Sequence, residues 1–391
     1  MQYRKDKYGN ELSILGFGLM RLPTKGGKYD LSEATKQIKY AYEMGINYFD
    51  TAYSYGDSEA VAGEAIESLG IRDKIHIATK LPQYWVKKPE DFDRFFDEEL
   101  RRLRTDYVDY YLLHMMNDKK SFERLCELGL LEWLKRKKEA GQIRQVGFSY
   151  HGNTDKYIEV LGAFDWELSL VQYNYMDENS QAGRRGVEAA AKKGIPIVIM
   201  EPLRGGKLVK LPPKAHRLME EYHIKRSAPE WSFTWLWDQP EVKVVLSGMN
   251  TEEMIRENCE FADSSRVGLI TDEDRVLLSK VLDEIYSKLK VGCTGCRYCV
   301  PCPKGVDIPG IFTAYNDLYS QGFYQGQKEY FMCTQLRKEP TGASKCIGCG
   351  ACEKKCPQGI EIRKELKEAE KRFETPIHKV IFKIASKYMK Y

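Results

Sequence analysis

Apolar runs of strand length recur along the first two-thirds of the chain and alternate with charged stretches of helical period. The runs SILGFG (13–18), INYFDTA (46–52), KIHIATK (74–80), VDYYLLH (108–114), IRQVGFS (143–149), LSLVQYN (168–174), PIVIME (196–201) and VKVVLSG (242–248) make eight candidate strands. Between them lie LSEATKQIKYAYEMG, DSEAVAGEAIESLG, EDFDRFFDEELRRLR and VEAAAKKG, several of which end in Gly, a frequent helix terminator. Strands and helices in a regular beat predict parallel β-α-β units, and eight such units over about 250 residues are what a (β/α)8 TIM barrel requires. A short segment around Tyr8, Gly9 and Asn10 predicts a hairpin ahead of the first barrel strand.

Chemistry in such a barrel gathers at the C-terminal ends of the strands and in the loops that follow them. Asp50 ends the second strand, Tyr55 sits in the next loop, Lys80 ends the third strand and His114 the fourth. A phenol with an ordinary pKa of about 10 is a weak acid at neutral pH, and a neighbouring ammonium lowers that value. A carboxylate beside the lysine keeps it charged and oriented. Tyr55 can then protonate a carbonyl oxygen as hydride reaches the carbon, while His114 donates a hydrogen bond to the same oxygen. Any one of these residues alone is more often a rim or packing residue; four at matching strand ends are not. Tyr53 is the rival phenol, and the composition of the loop does not separate the two.

GINYFDTAYSYGDSEAVAGEAI, IATKLP and VDYYLLHMM, with the later GFS, VQYNYM and EPLRGGKL, resemble the aldo-keto reductase family over residues 10–262. The motif Asp-Thr-Ala-x-x-Tyr-Gly-x-x-Glu runs complete from Asp50 to Glu59. The resemblance implies a barrel that binds NADP or NAD in extended form, with Asp50, Tyr55, Lys80 and His114 as catalytic tetrad and Tyr55, not Tyr53, as general acid. It also implies that Ser149 and Gln172 hold the nicotinamide carboxamide, that Tyr173 stacks on the ring, and that Met20 and Arg21 line the mouth. Leu203, Gly205, Gly206 and Lys207 would wrap the pyrophosphate with their backbone. Ser247, Gly248, Arg256, Glu257 and Asn258 would serve the adenosine half, the last two at the adenine. Gly248 and Met254 stand where relatives selective for the 2'-phosphate often carry Lys and Arg, so two charge-assisted contacts are missing and Arg256 is the nearby substitute. Cofactor choice therefore stays open, with NADP the family expectation.

At 391 residues the chain exceeds one ordinary core, so two or three units are expected. No apolar run approaches the roughly 18 residues of a membrane span, and the N-terminus lacks the apolar core of a secretory signal, which predicts a cytoplasmic location. The net charge of +4 arises from 61 Lys and Arg against 57 Asp and Glu with the signs interspersed, a pattern that does not imply nucleic acid.

Eight of the 11 cysteines fall in two runs near the end. CTGCRYCVPCP places Cys293, Cys296, Cys299 and Cys302 at a three-residue interval, and CIGCGACEKKCP places Cys346, Cys349, Cys352 and Cys356 in the C-x2-C-x2-C-x3-C-P spacing of 4Fe-4S ligands. In two-cluster ferredoxins the fourth cysteine of each run serves the other cluster, which pairs Cys293, Cys296 and Cys299 with Cys356, and Cys346, Cys349 and Cys352 with Cys302. Two four-cysteine zinc sites are the competing reading, disfavoured by the even spacing and the following prolines. Cys126, Cys259 and Cys333 stand apart and read as buried thiols without chemistry. The 43 residues between the runs are aromatic-rich and helical in period, resembling α-helical ferredoxin domains. The combined order resembles a ferredoxin-containing subgroup of the family.

The expected organisation is a barrel over 1–262, a connecting helical segment over 263–290, a small, mainly α-helical, ferredoxin-like 4Fe-4S dicluster domain over 291–360 and a helical tail over 361–391. In the tail, Ile377, Val380, Ile381, Ile384 and Tyr388 share one face and Lys379, Lys383, Lys387 and Lys390 the other. Packing of the apolar side on the domain is the plainer expectation; a docking face for an acidic ferredoxin or flavodoxin is the other. The chain reads as an NAD(P)H-dependent reductase of small carbonyls, or alcohol dehydrogenase in reverse, carrying two 4Fe-4S clusters for electron transfer. The alternative is a ferredoxin-coupled one-electron oxidoreductase with a flavin as converter, since nicotinamide moves two electrons and a cluster one. No glycine-rich fingerprint announces a flavin. A nucleotide-sensing partner subunit is a third reading, opposed by the intact tetrad.

Overall fold

The computed structural model describes the chain except residues 153, 180, 288, 294, 296–298, 321, 336–339, 357, 379 and 383–391, and for Met332 and Cys333 describes the backbone alone. The described residues form two compact units, Met1–Leu211 with Tyr222–Val276, and Pro212–Glu221 with the chain from Leu277 onward.

In the first unit the eight expected strands close into a parallel barrel. They are β1 (Leu15–Gly18), β2 (Tyr48–Asp50), β3 (His76–Leu81), β4 (Val108–Met116), β5 (Ile143–Tyr150), β6 (Leu168–Gln172), β7 (Ile197–Met200) and β8 (Val242–Ser247), each paired with the next and β8 with β1. Parallel strands covered by helices are buried on both faces, which is why they stand in the sequence as nearly continuous apolar runs. Tyr48, Ala78, Tyr110, Leu112, Leu168, Leu170, Val198 and Val244 belong to one buried cluster in the barrel. Close strand contact leaves no room for a side chain at Gly147, where a Cβ would lie 2.5 Å from the carbonyl oxygen of Leu168.

The expected N-terminal hairpin is present, Tyr3–Lys5 pairing antiparallel with Glu11–Ser13. Its turn is built on Asp6, whose carboxylate accepts from the backbone N–H of Tyr8 (2.8 Å) and of Asn10 (2.9 Å). The same carboxylate accepts from Tyr110 Oη at 2.7 Å and Gln145 Nε2 at 2.5 Å, residues in the first half of β4 and β5. The hairpin is thereby tied to the N-terminal end of the barrel, and the opposite end is left for chemistry.

The second unit gathers the helices Ile308–Ser320, Phe323–Thr334 and Ile362–Phe373 around a core that includes Phe312, Tyr315, Tyr330, Leu366 and Phe373. Tyr330 stacks on Phe373 with centroids 4.4 Å apart, and its hydroxyl accepts from Ala343 N at 2.8 Å while donating to Glu374. The Asn316 side chain bonds both the N–H and the C=O of Val291, each at 2.8 Å, and so fixes the strand of chain that enters the first cysteine run.

The tail departs from the expected packing. Ile377 (72% exposed), Val380 and Ile381 face solvent, and the buried residue is Phe382, stacked on Phe331 at 5.2 Å. One aromatic ring fills the contact and leaves the aliphatic residues outside it. Lys379, Lys383, Ile384, Lys387, Tyr388 and Lys390 lie outside the described residues. Of the lone thiols, Cys259 is buried with its pKa pushed up by burial to about 12, and Cys126 is half-buried; the Cys333 side chain is not described. Among the described residues no helix is long and apolar enough to cross a membrane.

Candidate active site

The C-terminal ends of β2, β3 and β4 bring Asp50, Lys80 and His114 to one side of the barrel mouth, and the loop after β2 returns Tyr55 to them. Lys80 is fully buried and donates to Asp50 Oδ1 (2.6 Å) and to the carbonyl of Thr51 (2.5 Å). Its Nζ lies 5.0 Å from the centre of the Tyr55 ring. His114 meets Tyr55 edge-on, centroids 5.8 Å apart, and its Nδ1 lies 3.3 Å from Ser54 Oγ. All four sequence-picked groups are therefore together.

Their proton affinities follow from dehydration first and charge second. Burial pushes the Tyr55 phenol above its usual value, and Lys80 only partly opposes this, so the expected acidification of Tyr55 by its lysine is not met: stripping water from the phenolate outweighs the ammonium. Burial pulls Lys80 down, but Asp50 and then Tyr55 more than restore it, leaving an ammonium held above the ordinary lysine range. His114 is pushed well below its usual value by burial and then by Lys80, so its imidazole is neutral. Asp50 is raised by burial against the pull of Lys80, and its Oδ2 has no hydrogen-bond partner among the described residues.

Tyr53, the rival phenol, is packed among other groups. The Arg102 guanidinium lies 4.3 Å over its ring, Phe95 meets it edge-on at 5.0 Å, and Arg102 Nη1 also reaches the Tyr53 carbonyl at 3.3 Å. The motif's last residue, Glu59, is fully buried behind the site, accepting from Thr79 Oγ1 at 2.6 Å and from Arg102 Nη1 at 3.3 Å. Arg102 thus ties the Tyr53–Tyr55 loop to Glu59. The sequence offered no sign of this role, because Arg102 reads as one more charge on the helix Glu90–Leu103.

At the end of β4 the ladder to β5 slips between Leu113 and Met116, and Met115 takes a left-handed backbone (φ 56°) with its side chain exposed. Its N–H donates to Ser149 Oγ at 2.8 Å. Glu201, just after β7, is left-handed as well (φ 54°) and exposed, and its carboxylate adds to the upward pressure on Tyr55. Non-glycine residues held in this region are strained and gather at functional sites. Neither was legible in the sequence.

The residues picked for a nucleotide fall into two groups. Gln172 is held by Asp177 (3.1 Å) and by Gln181, and Ser149 is buried beside Met115. Gly205 and Gly206 have φ of 66° and 96° with no atom within 4 Å of a would-be Cβ, so the Leu203–Lys207 turn is open there. Arg204 Nε, in that turn, pairs with Asp177 Oδ2 at 2.9 Å. Arg21 lies against Gly248, 3.6 Å from its would-be Cβ, and Met20 is exposed next to it. Tyr173, by contrast, is fully buried against Trp235 at 5.0 Å, so its ring is not offered to the mouth. Met200, half-exposed at the end of β7, packs on the barrel's interior cluster. Asn258 is buried and donates to Ser247 Oγ at 3.1 Å, Glu257 is half-exposed, and Arg256 pairs with Glu260 at 3.0 Å.

In the second unit Cys302 joins Cys346, Cys349 and Cys352 in lining one pocket, together with Cys299, Lys304, Lys355 and Arg363. Three cysteines of the second run, Cys346, Cys349 and Cys352, and two of the first, Cys299 and Cys302, therefore share one cavity. Left-handed Gly348 (φ 70°) and Gly350 (φ 73°) let the run wrap. Among the described residues no three Cys, His, Asp or Glu side chains converge on a point as ligands of a single ion. Thiolates spread around a basic-rimmed cavity fit a polynuclear anionic cluster. Cys293 and Cys356 pack on the same helical core, and Cys296 lies outside the described residues.

Residues 14–267 match the model of the aldo/keto reductase family. The chain belongs to that family. Residues 292–361 match a 4Fe-4S dicluster domain, so this aldo/keto reductase carries a second, iron-sulfur type domain. Similar proteins include the oxidoreductase YqkF of Bacillus subtilis, 28% identical over 72% of this chain and 98% of its own length. The NADH-specific methylglyoxal reductase of Escherichia coli is 22% identical over 70% of this chain and 96% of its own. Among solved structures, aldo-keto reductase AKR11C1 from Bacillus halodurans in its holo form superposes with a TM-score of 0.59 at 23% identity, covering 72% of this chain and 96% of that one. An aldo-keto reductase from Klebsiella pneumoniae in complex with NADPH gives 0.59 at 19% identity, covering 72% and 95%. These structural likenesses establish the barrel fold.

Proposed function

We propose that this aldo/keto reductase moves a hydride between NAD(P)H and a small carbonyl compound at the barrel mouth, with Tyr55 as general acid. The observation that carries the reading is the buried Lys80, which holds Asp50 at 2.6 Å and lies 5.0 Å from the centre of the Tyr55 ring, with a neutral His114 alongside. A reduced nicotinamide, when bound, supplies the hydride. The chain's own groups handle the proton. Tyr55, its pKa raised, stays protonated at neutral pH and gives its proton to the carbonyl oxygen as negative charge develops there. The Lys80 ammonium stabilises the phenolate left behind, and Asp50 keeps Lys80 charged and aimed. His114, neutral, has an N–H free to steer and polarise the same oxygen without competing for the proton.

In this reading Ser149 and Gln172 hold the carboxamide and the open Leu203–Lys207 turn takes the pyrophosphate. Arg21, which lies against Gly248, and Arg256 would meet a 2'-phosphate, while Glu257 and Asn258 would contact the adenine. Cys346, Cys349, Cys352 and Cys302 would hold one 4Fe-4S cluster, and Cys293, Cys296, Cys299 and Cys356 a second, in a unit spanning about 291–360 after a barrel of about 1–262 and a connecting segment over 263–290. A reducing cytoplasm suits eight thiolates of this kind.

Small aldehydes of the methylglyoxal type, named in the E. coli relative, are the first substrates to try. Anaerobically purified protein is mixed with methylglyoxal and NADPH or NADH, and nucleotide oxidation is followed by its absorbance. Stoichiometric oxidation with formation of the alcohol is the expected result. No turnover with either nucleotide across a panel of short aldehydes and ketones would sink the reading.

A further inference from the structure

We propose that the face around Cys349 is a docking site for a small acidic protein that carries one electron at a time. The inference rests on the reading that these cysteines hold an iron-sulfur cluster. Among the four pocket cysteines assigned to one cluster, Cys349 is exposed, whereas Cys302, Cys346 and Cys352 are half-buried. Ile347, beside it in the pocket wall, is 62% exposed. Electron transfer falls steeply with distance, so the ligand that reaches solvent marks where a partner can approach closest.

The charges around this spot are one-sided. Lys304 and Lys355 line the pocket, Lys345 immediately precedes the cysteine run and Lys354 lies within it, and all four are exposed. None of the four forms an ion pair among the described residues. Glu353 is the one acid between residues 341 and 360, and Arg363 occupies it at 2.8 Å. On the neighbouring helix the pattern is different: Lys371 is matched by Glu368 at 2.6 Å, and Lys364 by Glu361 just before it at 2.7 Å. A small apolar centre ringed by unmatched like charges steers an oppositely charged partner and releases it quickly, as serial one-electron exchange demands. With a cluster held by Cys302, Cys346, Cys349 and Cys352, each encounter would pass one electron from the reduced carrier to that cluster, the carrier being oxidised by one and the cluster reduced by one with no bond or proton changing hands.

The test uses the full chain, purified anaerobically, with an acidic bacterial ferredoxin as probe and calorimetry as readout. Binding at low ionic strength that weakens about tenfold or more when salt is raised is expected. Lys345→Glu with Lys354→Glu should weaken it by about tenfold or more, at a few-fold per rim charge. Iron content, visible spectrum and NADPH-driven carbonyl reduction should stay as in the wild type. Equal affinity in the double variant, or no binding at low salt, overturns the proposal; the lysines then serve only to offset cluster charge, which a shifted cluster potential in the variant would report. Protein that contains no iron would remove the cluster reading and this proposal together, whereas iron without carrier binding removes this proposal alone.

Discussion

Tyr55 is a phenol that burial makes reluctant to ionise, next to an imidazole that burial makes reluctant to protonate. The two shifts point outward from neutrality. A group with a raised pKa stays protonated below it, and one with a lowered pKa stays neutral above it, so both groups keep the forms the proposed mechanism needs across the neutral range. Carbonyl reduction should therefore be level between about pH 6 and about pH 8 and fall only on the alkaline side as Tyr55 loses its proton. A pH profile of kcat/KM for reduction checks this, and an acid limb near the ordinary histidine value of about 6.5 would contradict the assignment of His114. Lys80→Met should cut kcat by about 100-fold or more, and it should cost about 3 kcal/mol of stability because it strands Asp50 in a dry site. Steady-state rates and denaturant melts read both. At this scale the meeting of Asp50, Lys80 and His114 was legible because three chemically distinct side chains lie at the ends of successive strands, whereas Tyr55 was told from Tyr53 only by the family resemblance. Tyr173 was not: a tyrosine after a strand looks alike whether it faces the mouth or, as here, Trp235.

The helix Ser58–Leu69 packs so closely on the helix Glu90–Leu103 that a Cβ at Gly63 would lie 2.3 Å from the Arg102 carbonyl oxygen. Gly63→Ala should therefore destabilise the barrel by about 2 kcal/mol or more and displace Arg102 from the Tyr53 loop. Thermal melting reads the first effect, and a fall in kcat with nucleotide affinity retained reads the second. Gly206→Val acts in the opposite place: left-handed at φ 96°, it carries about 1–2 kcal/mol of backbone strain and closes the turn, so KM for the nucleotide should rise while kcat at saturation holds. Element existence was readable because doubly covered parallel strands must be apolar throughout. The slip at Leu113–Met116 was not, since it depends on register between two strands and leaves no mark in either one alone. The exposed aliphatics of the tail were misread for a related reason, periodicity giving a face but not what covers it.

Across the whole molecule, an aldo/keto reductase barrel and a cysteine-rich helical unit share one chain, and the order of the two was visible in the sequence from strand and helix periodicity followed by cysteine spacing. The ligand crossing makes a countable prediction. If the proposed crossing holds, Cys302→Ser and Cys352→Ser should each remove about four of about eight irons per chain, and the double variant should remove no more than either single, because both residues would serve the same cluster. Additive loss, or zinc in place of iron, would contradict that assignment. The central claim concerns the barrel, and the most direct measurement is anaerobic methylglyoxal reduction by Tyr55→Phe with nucleotide binding measured alongside. The account predicts that kcat falls by about 1,000-fold while the Kd for NADPH is unchanged. A Tyr55→Phe enzyme that turns over at the wild-type rate would contradict it.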